Sequence, residues 1–286
     1  MNQRVDWAFC QGNSDQILAE GIFALRTQPA MRHSQVASAH QGNYLILLNG
    51  EPYYIGEAKE LAARLRQQFK PSTSTFYKTF IGSGKYGTAP LDKFQVQFHE
   101  TNIGRKEIEE FGIVNIPTKL NKFQLGKRAE VVPARGCTLW LDVQARCVEL
   151  LVEGEQVIFA QTQVPWFAAS VPRLAGIYVV RDSRDEIIYI GESSDIGERY
   201  ATHSGTTYFS ALRRHIGTDI LGLTLKTIKG RTRYFSEEED GRVTDFLRVC
   251  RIAFQAVSFG RYELEEISIR KYHPLLNRKE NKSSSQ

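Results

Sequence analysis

The chain has 286 residues, 42% of them apolar and 24% charged, with a formal net charge of +5. This is the composition of a soluble globular protein with room for about two domains, and its mild positive charge permits a polyanionic partner without demanding one. No apolar run approaches the roughly 18 residues of a membrane span and no signal-peptide pattern opens the chain, so a cytoplasmic protein is expected.

Residues 1–40 hold a short helical pattern around Asp15–Glu20 and then a polar stretch, and read as an N-terminal extension. Tyr44-Leu45-Ile46-Leu47-Leu48 and Tyr53-Tyr54-Ile55 flank Asn49-Gly50, a strong β-hairpin signal. From Glu57 to Phe69 good helix formers place Leu61, Leu65 and Phe69 on one stripe. Between the two halves, Leu139-Trp140-Leu141, Val148–Val152 and Gln156–Phe159, with Gly154 in a turn, read as a small β-meander. Gly176–Val180 and Ile187–Ile190 flank the polar turn Asp182–Asp185, and a helix capped by Ser193 or Ser194 runs through Arg199 to about His203. Ser236–Glu239 is a capping box opening a helix through Leu247, and a last helix from about Tyr262 must stop before Pro274. The resulting division is 1–40, 41–125, a β-rich linker 126–172, 173–279 and a disordered tail 280–286. Cys10, Cys137, Cys147 and Cys250 form no Cys-x-x-Cys pair, which argues against a disulfide framework or a Cys-ligated zinc.

One pattern recurs. Tyr54-Ile55-Gly56 and Tyr189-Ile190-Gly191, then Arg64 and Arg199, then Ile81-Gly82 and Ile216-Gly217, all keep one offset of 135 residues. Two copies of one structural unit are expected, with the stretch from about Gly230 to Val249 an insertion in the second.

In the second copy, a hairpin closing symmetrically about Ser183 and Arg184 sets Tyr178 opposite Tyr189, both phenols on one face. Arg199 and His203 share a helix face, and Glu265 lies on the inward side of the last helix. Two phenols, a guanidinium, an imidazole and a carboxylate can serve phosphodiester hydrolysis. The carboxylate can hold a hard divalent ion that keeps most of its waters, and the arginine can stabilise charge on the phosphate. A phenol or imidazole near those cations can have its pKa lowered enough to take a proton from water. Spacing alone would not select this set.

Gly176-Ile177-Tyr178, Tyr189-Ile190-Gly191, Arg199, His203, Glu265 and the ending Pro274-Leu275-Leu276-Asn277 resemble the GIY-YIG endonuclease superfamily. His203 four after Arg199, and Asn277 twelve after Glu265, are similar to its restriction-enzyme branch. The resemblance implies a small three-stranded antiparallel sheet with flanking helices, and with the repeat and the β-rich linker the expected fold is α+β, two such units in tandem. It also implies DNA hydrolysis with a single Mg²⁺ or Mn²⁺. Carried over, Tyr178 is the general base or water-positioning group assisted by His203. Tyr189 binds the phosphate, Arg199 stabilises the transition state, Glu265 holds the metal and Asn277 buttresses the site.

The first copy is divergent. Gly42-Asn43-Tyr44 stands for Gly-Ile-Tyr, and Tyr44, Tyr54 and Arg64 remain, while Gln68 takes the place of His203. Glu109 and Asn121 repeat the separation of Glu265 and Asn277, although Glu107 and Glu110 blur the choice of metal ligand. Basic residues at Arg213, Arg214, Lys226, Lys229, Arg231 and Arg233, interleaved with Tyr208, Phe209 and Tyr234, are candidate DNA contacts. The expected protein is a metal-dependent endonuclease with DNA as partner and no membrane, whose two sites could cut both strands. The alternative is a protein that binds DNA junctions or ends with one or both nuclease folds inactive.

Overall fold

The computed structural model describes residues 4–72, 74, 76–78, 82–83, 91–119, 121, 134–228 and 230–278. Ile81 and Lys229, the start of the linker and the C-terminal tail lie outside these. The chain forms two compact units, residues 1–150 and 151–286. Both combine helices with small antiparallel sheets, an α+β architecture.

Unit 1 opens with α1 (Trp7–Gly12), capped by the Asp6 side chain, and α2 (Ser14–Arg26). The hairpin β1 (Gly42–Leu48) and β2 (Glu51–Ala58) turns through Asn49 and Gly50, both at positive φ, as the Asn-Gly signal requires. Helix α3 (Leu61–Gln68) starts later than its composition suggests, because Glu57 and Ala58 still pair with Asn43 and Gly42. Strand β3 (Phe94–Glu100) completes the sheet in the order β2-β1-β3, and α4 (Arg105–Asn115) follows from Gly104. Residues 1–40 are not an extension. Ile17, Leu18 and Leu25 of α2 are fully buried, each such side chain contributing about 1.5–3 kcal/mol of burial, and α2 packs against α4.

The expected β-meander is instead two helices, α5 (Thr138–Ala145) and α6 (Cys147–Phe159), with Gly154 inside the second. The apolar runs follow a helical stripe: Trp140, Val143, Leu150 and Ile158 are buried, while Leu141, Val148 and Val152 are exposed. Short apolar runs carry no period of their own, so the choice fell to packing. Trp140 packs over Gly21, and its backbone N–H donates to Glu20 Oε2 at 3.1 Å. The boundary between the units falls within α6.

Unit 2 contains β4 (Val164–Pro165), β5 (Gly176–Arg181), β6 (Ile187–Ser193), α7 (Ile196–Ser204), α8 (Ala211–His215) and a π-helical turn over Ile216–Ile220. There follow the ribbon β7 (Lys226–Ile228) and β8 (Arg231–Tyr234), α9 (Glu237–Arg248), β9 (Arg251–Ala256) and α10 (Arg261–Tyr272). The main sheet runs β4-β9-β5-β6, the three-stranded expectation plus one short edge strand. Asp195, not Ser193 or Ser194, caps α7; Ser193 Oγ is spent on the Asp195 backbone. Ser236 and Glu239 close the expected capping box on α9.

The hairpin register differs from the symmetric closure. Tyr178 pairs with Gly191, and Tyr189 with Val180, because the turn is longer, with Asp185 at φ 68° and a bulge after Val180. A two-residue slip preserves the face, so both phenols still point to one side.

Candidate active site

In unit 2 the site is assembled on β5, β6, α7 and α10. The Tyr178 and Tyr189 rings lie 6.0 Å apart. Their closeness depends on Gly191, since a Cβ there would stand 2.5 Å from Tyr178 Oη. Tyr178 Oη lies 2.9 Å from His203 Nε2, and His203 Nδ1 lies 2.7 Å from Ser210 Oγ. Ser210 is itself the N-cap of α8, accepting from the Arg213 backbone N–H at 3.0 Å. A buried chain of Tyr178, His203 and Ser210 results.

Burial sets the protonation states here. It lowers the His203 pKa to about 3, with Arg199, Arg213 and Arg214 adding to the fall. It pushes the Tyr178 phenol well above its usual value, Tyr189 adding to the rise and Arg199 opposing it. At the phenol, desolvation outweighs the one guanidinium. Both groups are neutral at ordinary pH.

Arg199 is exposed and its guanidinium makes no hydrogen bond or ion pair among the described residues, although it acts electrostatically on Tyr178 and His203. Glu265 is half-buried, and its Oε1 accepts the Glu192 backbone N–H at 3.0 Å. Asn277 clamps β6 from both sides, accepting from Ile190 N at 3.0 Å and donating to Ile190 O at 2.8 Å. The structure thus gathers all six residues expected in this copy.

Residues 169–286 match the family model of the GIY-YIG catalytic domain. The match covers less than half of the chain and makes this part similar to GIY-YIG catalytic domains. No curated protein and no solved structure matches the chain. GIY-YIG nucleases are in general dependent on a divalent metal. Among the described residues no cluster of three or more His, Cys, Asp or Glu could form a metal cage, and no helix is long and apolar enough to cross a membrane. One carboxylate, Glu265, fits a hard ion that retains most of its waters, and suits Mg²⁺ or Mn²⁺ better than zinc.

Unit 1 has several of the same contacts. Tyr44 pairs with Gly56, and its ring lies 6.1 Å from that of Tyr54. Asn121 accepts from Ile55 N and donates to Ile55 O, both at 2.9 Å. Gln68 Nε2 donates to Tyr44 Oη at 2.8 Å, and Ser74 Oγ donates to Gln68 Oε1 at 3.2 Å. The chain of Tyr, Gln and Ser reproduces that of Tyr, His and Ser. Asn43, in the place of Ile177, is buried but satisfied, donating to Arg105 O and accepting from Thr101 Oγ1.

Two ion pairs beside the candidate site were not recognised from the sequence. Glu57 and Glu192 follow each Tyr-Ile-Gly and pair with the buried Arg105 and Arg261 at 3.3 and 2.8 Å. The signal was present: Gly104-Arg105-Lys106-Glu107-Ile108-Glu109-Glu110 and Gly260-Arg261-Tyr262-Glu263-Leu264-Glu265-Glu266 are one motif repeated. Gly104 and Gly260 both adopt left-handed φ as they open their helices, which fixes the register. Glu107 and Glu263 are thereby the buried pair, and Glu109 corresponds to Glu265.

Two of the proposed DNA contacts are structural. Arg213 is fully buried, bound to Asp240 at 3.0 Å, and its guanidinium donates to Thr244 Oγ1 at 2.8 Å. Arg214 donates to the carbonyls of Thr207 and Tyr208. Lys226 is exposed but paired with Glu239 at 2.9 Å, while Arg231, bonded to Tyr208, and Arg233 stand exposed on the β7–β8 ribbon.

Proposed function

We propose that unit 2 hydrolyses a DNA phosphodiester through the Tyr178–His203 pair. The observation that carries this reading is the buried hydrogen-bonded chain from Tyr178 through His203 to Ser210, beside the exposed Arg199. With its proton on Nδ1, donated to Ser210 Oγ, His203 offers the Nε2 lone pair to the Tyr178 hydroxyl. Water then gives a proton to the phenol oxygen as the phenol proton passes to Nε2. The hydroxide oxygen bonds to phosphorus and the bond to the leaving deoxyribose oxygen breaks, that oxygen keeping the electron pair and taking a proton from solvent water. The negative phosphate offsets Arg199 when bound, which raises the imidazole's proton affinity at the moment it is needed. Tyr189 orients the phosphate, Arg199 stabilises the added charge of the pentacoordinate state, and Asn277 holds β6 in place. Glu265 would hold a divalent ion, which supplies Lewis acidity toward the phosphate oxygens. Arg231 and Arg233 are retained as backbone contacts to DNA.

Unit 1 is read as a second, divergent GIY-YIG fold, making a pair of tandem units in one chain. Nicking of supercoiled plasmid with Mg²⁺ or Mn²⁺ tests the reading. Cleavage that survives R199A undiminished would exclude unit 2 as the site.

A further inference from the structure

We propose that the unit 1 cleft is a metal-free binding site for a DNA backbone phosphate, with the Lys106 ammonium in the role a divalent ion would take. The inference rests on the nuclease reading of unit 2, which defines what the shared cleft recognises. Lys106 occupies the helix position of Tyr262, one turn before the carboxylate. Its Nζ lies 2.7 Å from Glu109 Oε2, with the two side chains only 27% and 12% exposed. That is a charge-assisted hydrogen bond at full strength. An Mg²⁺ would need the same carboxylate at about 2.0–2.1 Å and would face a resident cation within a few ångströms. Glu109 in this cleft therefore does not fit the metal role expected of it.

The proton path is missing as well. Tyr44 Oη is held by the Gln68 amide, which accepts no proton at any working pH. What persists is the apparatus for gripping an anion. Arg64 is half-buried and interacts electrostatically with both Tyr44 and Tyr54, while Gly56 and the Asn121 clamp keep the two phenols in the unit 2 arrangement. Arg64, Lys106 and the Tyr54 hydroxyl can meet a phosphodiester, with neither the acid–base pair nor the metal needed to break it. Lys106 can bridge Glu109 and a phosphate oxygen together, since an ammonium has three donors.

The test is fluorescence anisotropy of a labelled duplex with the full chain in EDTA. K106Q and R64Q should each weaken binding about tenfold and lower the slope of log K against log salt by about one. K106R, which keeps the charge, should bind within about threefold of wild type. E109Q should bind as well as wild type or better, because it removes the competing carboxylate while keeping the ammonium. Circular dichroism and urea midpoints accompany every variant; should K106Q be misfolded, E109Q and R64Q decide. Wild-type affinity in K106Q or R64Q would overturn the proposal. So would a Mn²⁺-dependent gain in DNA affinity that survives E265Q and vanishes in E109Q, because Glu109 would then hold the metal. Failure of the nuclease reading appears separately, as wild-type protein that does not nick plasmid with either metal.

Discussion

The two units place the same hydrogen-bonded frame around different central residues. In unit 2 the buried tyrosine is held by an imidazole backed by Ser210; in unit 1 it is held by a carboxamide backed by Ser74. Histidine and glutamine fill nearly the same space and reach the same partners, but only histidine titrates. Next to the carboxylate, unit 2 has Tyr262 where unit 1 has Lys106. The two differences keep the hydrogen-bonded frame and the asparagine clamp while replacing a titratable imidazole and placing an ammonium beside the carboxylate. Architecture and chemistry are separable here because they reside in different atoms of the same cleft.

The largest effect expected from breaking this comparison is that of R199A. Loss of a preorganised cation at the developing charge should slow Mg²⁺-dependent nicking by about 10²–10³-fold in single-turnover assays. R64A should instead act on DNA affinity. Next comes H203Q, which rebuilds the unit 1 arrangement inside unit 2. Nicking should fall about 10²-fold, while the urea midpoint at pH 7 stays close to wild type, because glutamine can bridge Tyr178 and Ser210 as Gln68 bridges Tyr44 and Ser74. A folded H203Q with full activity would remove His203 from the mechanism.

The clamps give a smaller, structural contrast. N277A orphans the buried N–H and C=O of Ile190 and should cost about 2–3 kcal/mol in urea unfolding. N121A should cost only about 1 kcal/mol, since the bonds to Ile55 are half-buried and water can replace them.

The last prediction concerns pH. Folded His203 titrates at about 3 and the unfolded side chain near 6.5, so the unfolded state binds more protons between those values. Stability from this residue is complete above pH 6.5 and declines as pH falls toward 3. The loss should be on the order of 2 kcal/mol by pH 5. Buried His99 in unit 1, with a pKa lowered to about 4, behaves in the same direction. H203Q should therefore show a shallower drop in urea midpoint between pH 7 and 5 than wild type, with the share of His99 remaining.

Much of the frame was legible in the sequence because it rests on local signals. Asn49-Gly50 dictates a tight hairpin through its backbone preferences, and Ser236 with Glu239 caps a helix using only its first turn. The repeated Tyr-Ile-Gly, each glycine there to clear a phenol, marked both copies, whereas the six candidate residues of unit 2 came from the family resemblance and not from spacing. Residues 138–159 were misread because their apolar runs suit a strand or a helix equally, and only burial of Trp140 against α2 chose between them.

Tertiary structure alone decided the rest. Whether Arg213 faces DNA or the core depends on Asp240 and Thr244, some thirty residues away. The direction of the Tyr178 shift depends on desolvation, which no residue list contains. Sequence determined which chemical groups each cleft owns, because identity and local turn geometry are written residue by residue. Folding decided which of them are charged, which are spent on neighbours and which remain open to a phosphate, because those properties belong to the surroundings rather than to the side chain.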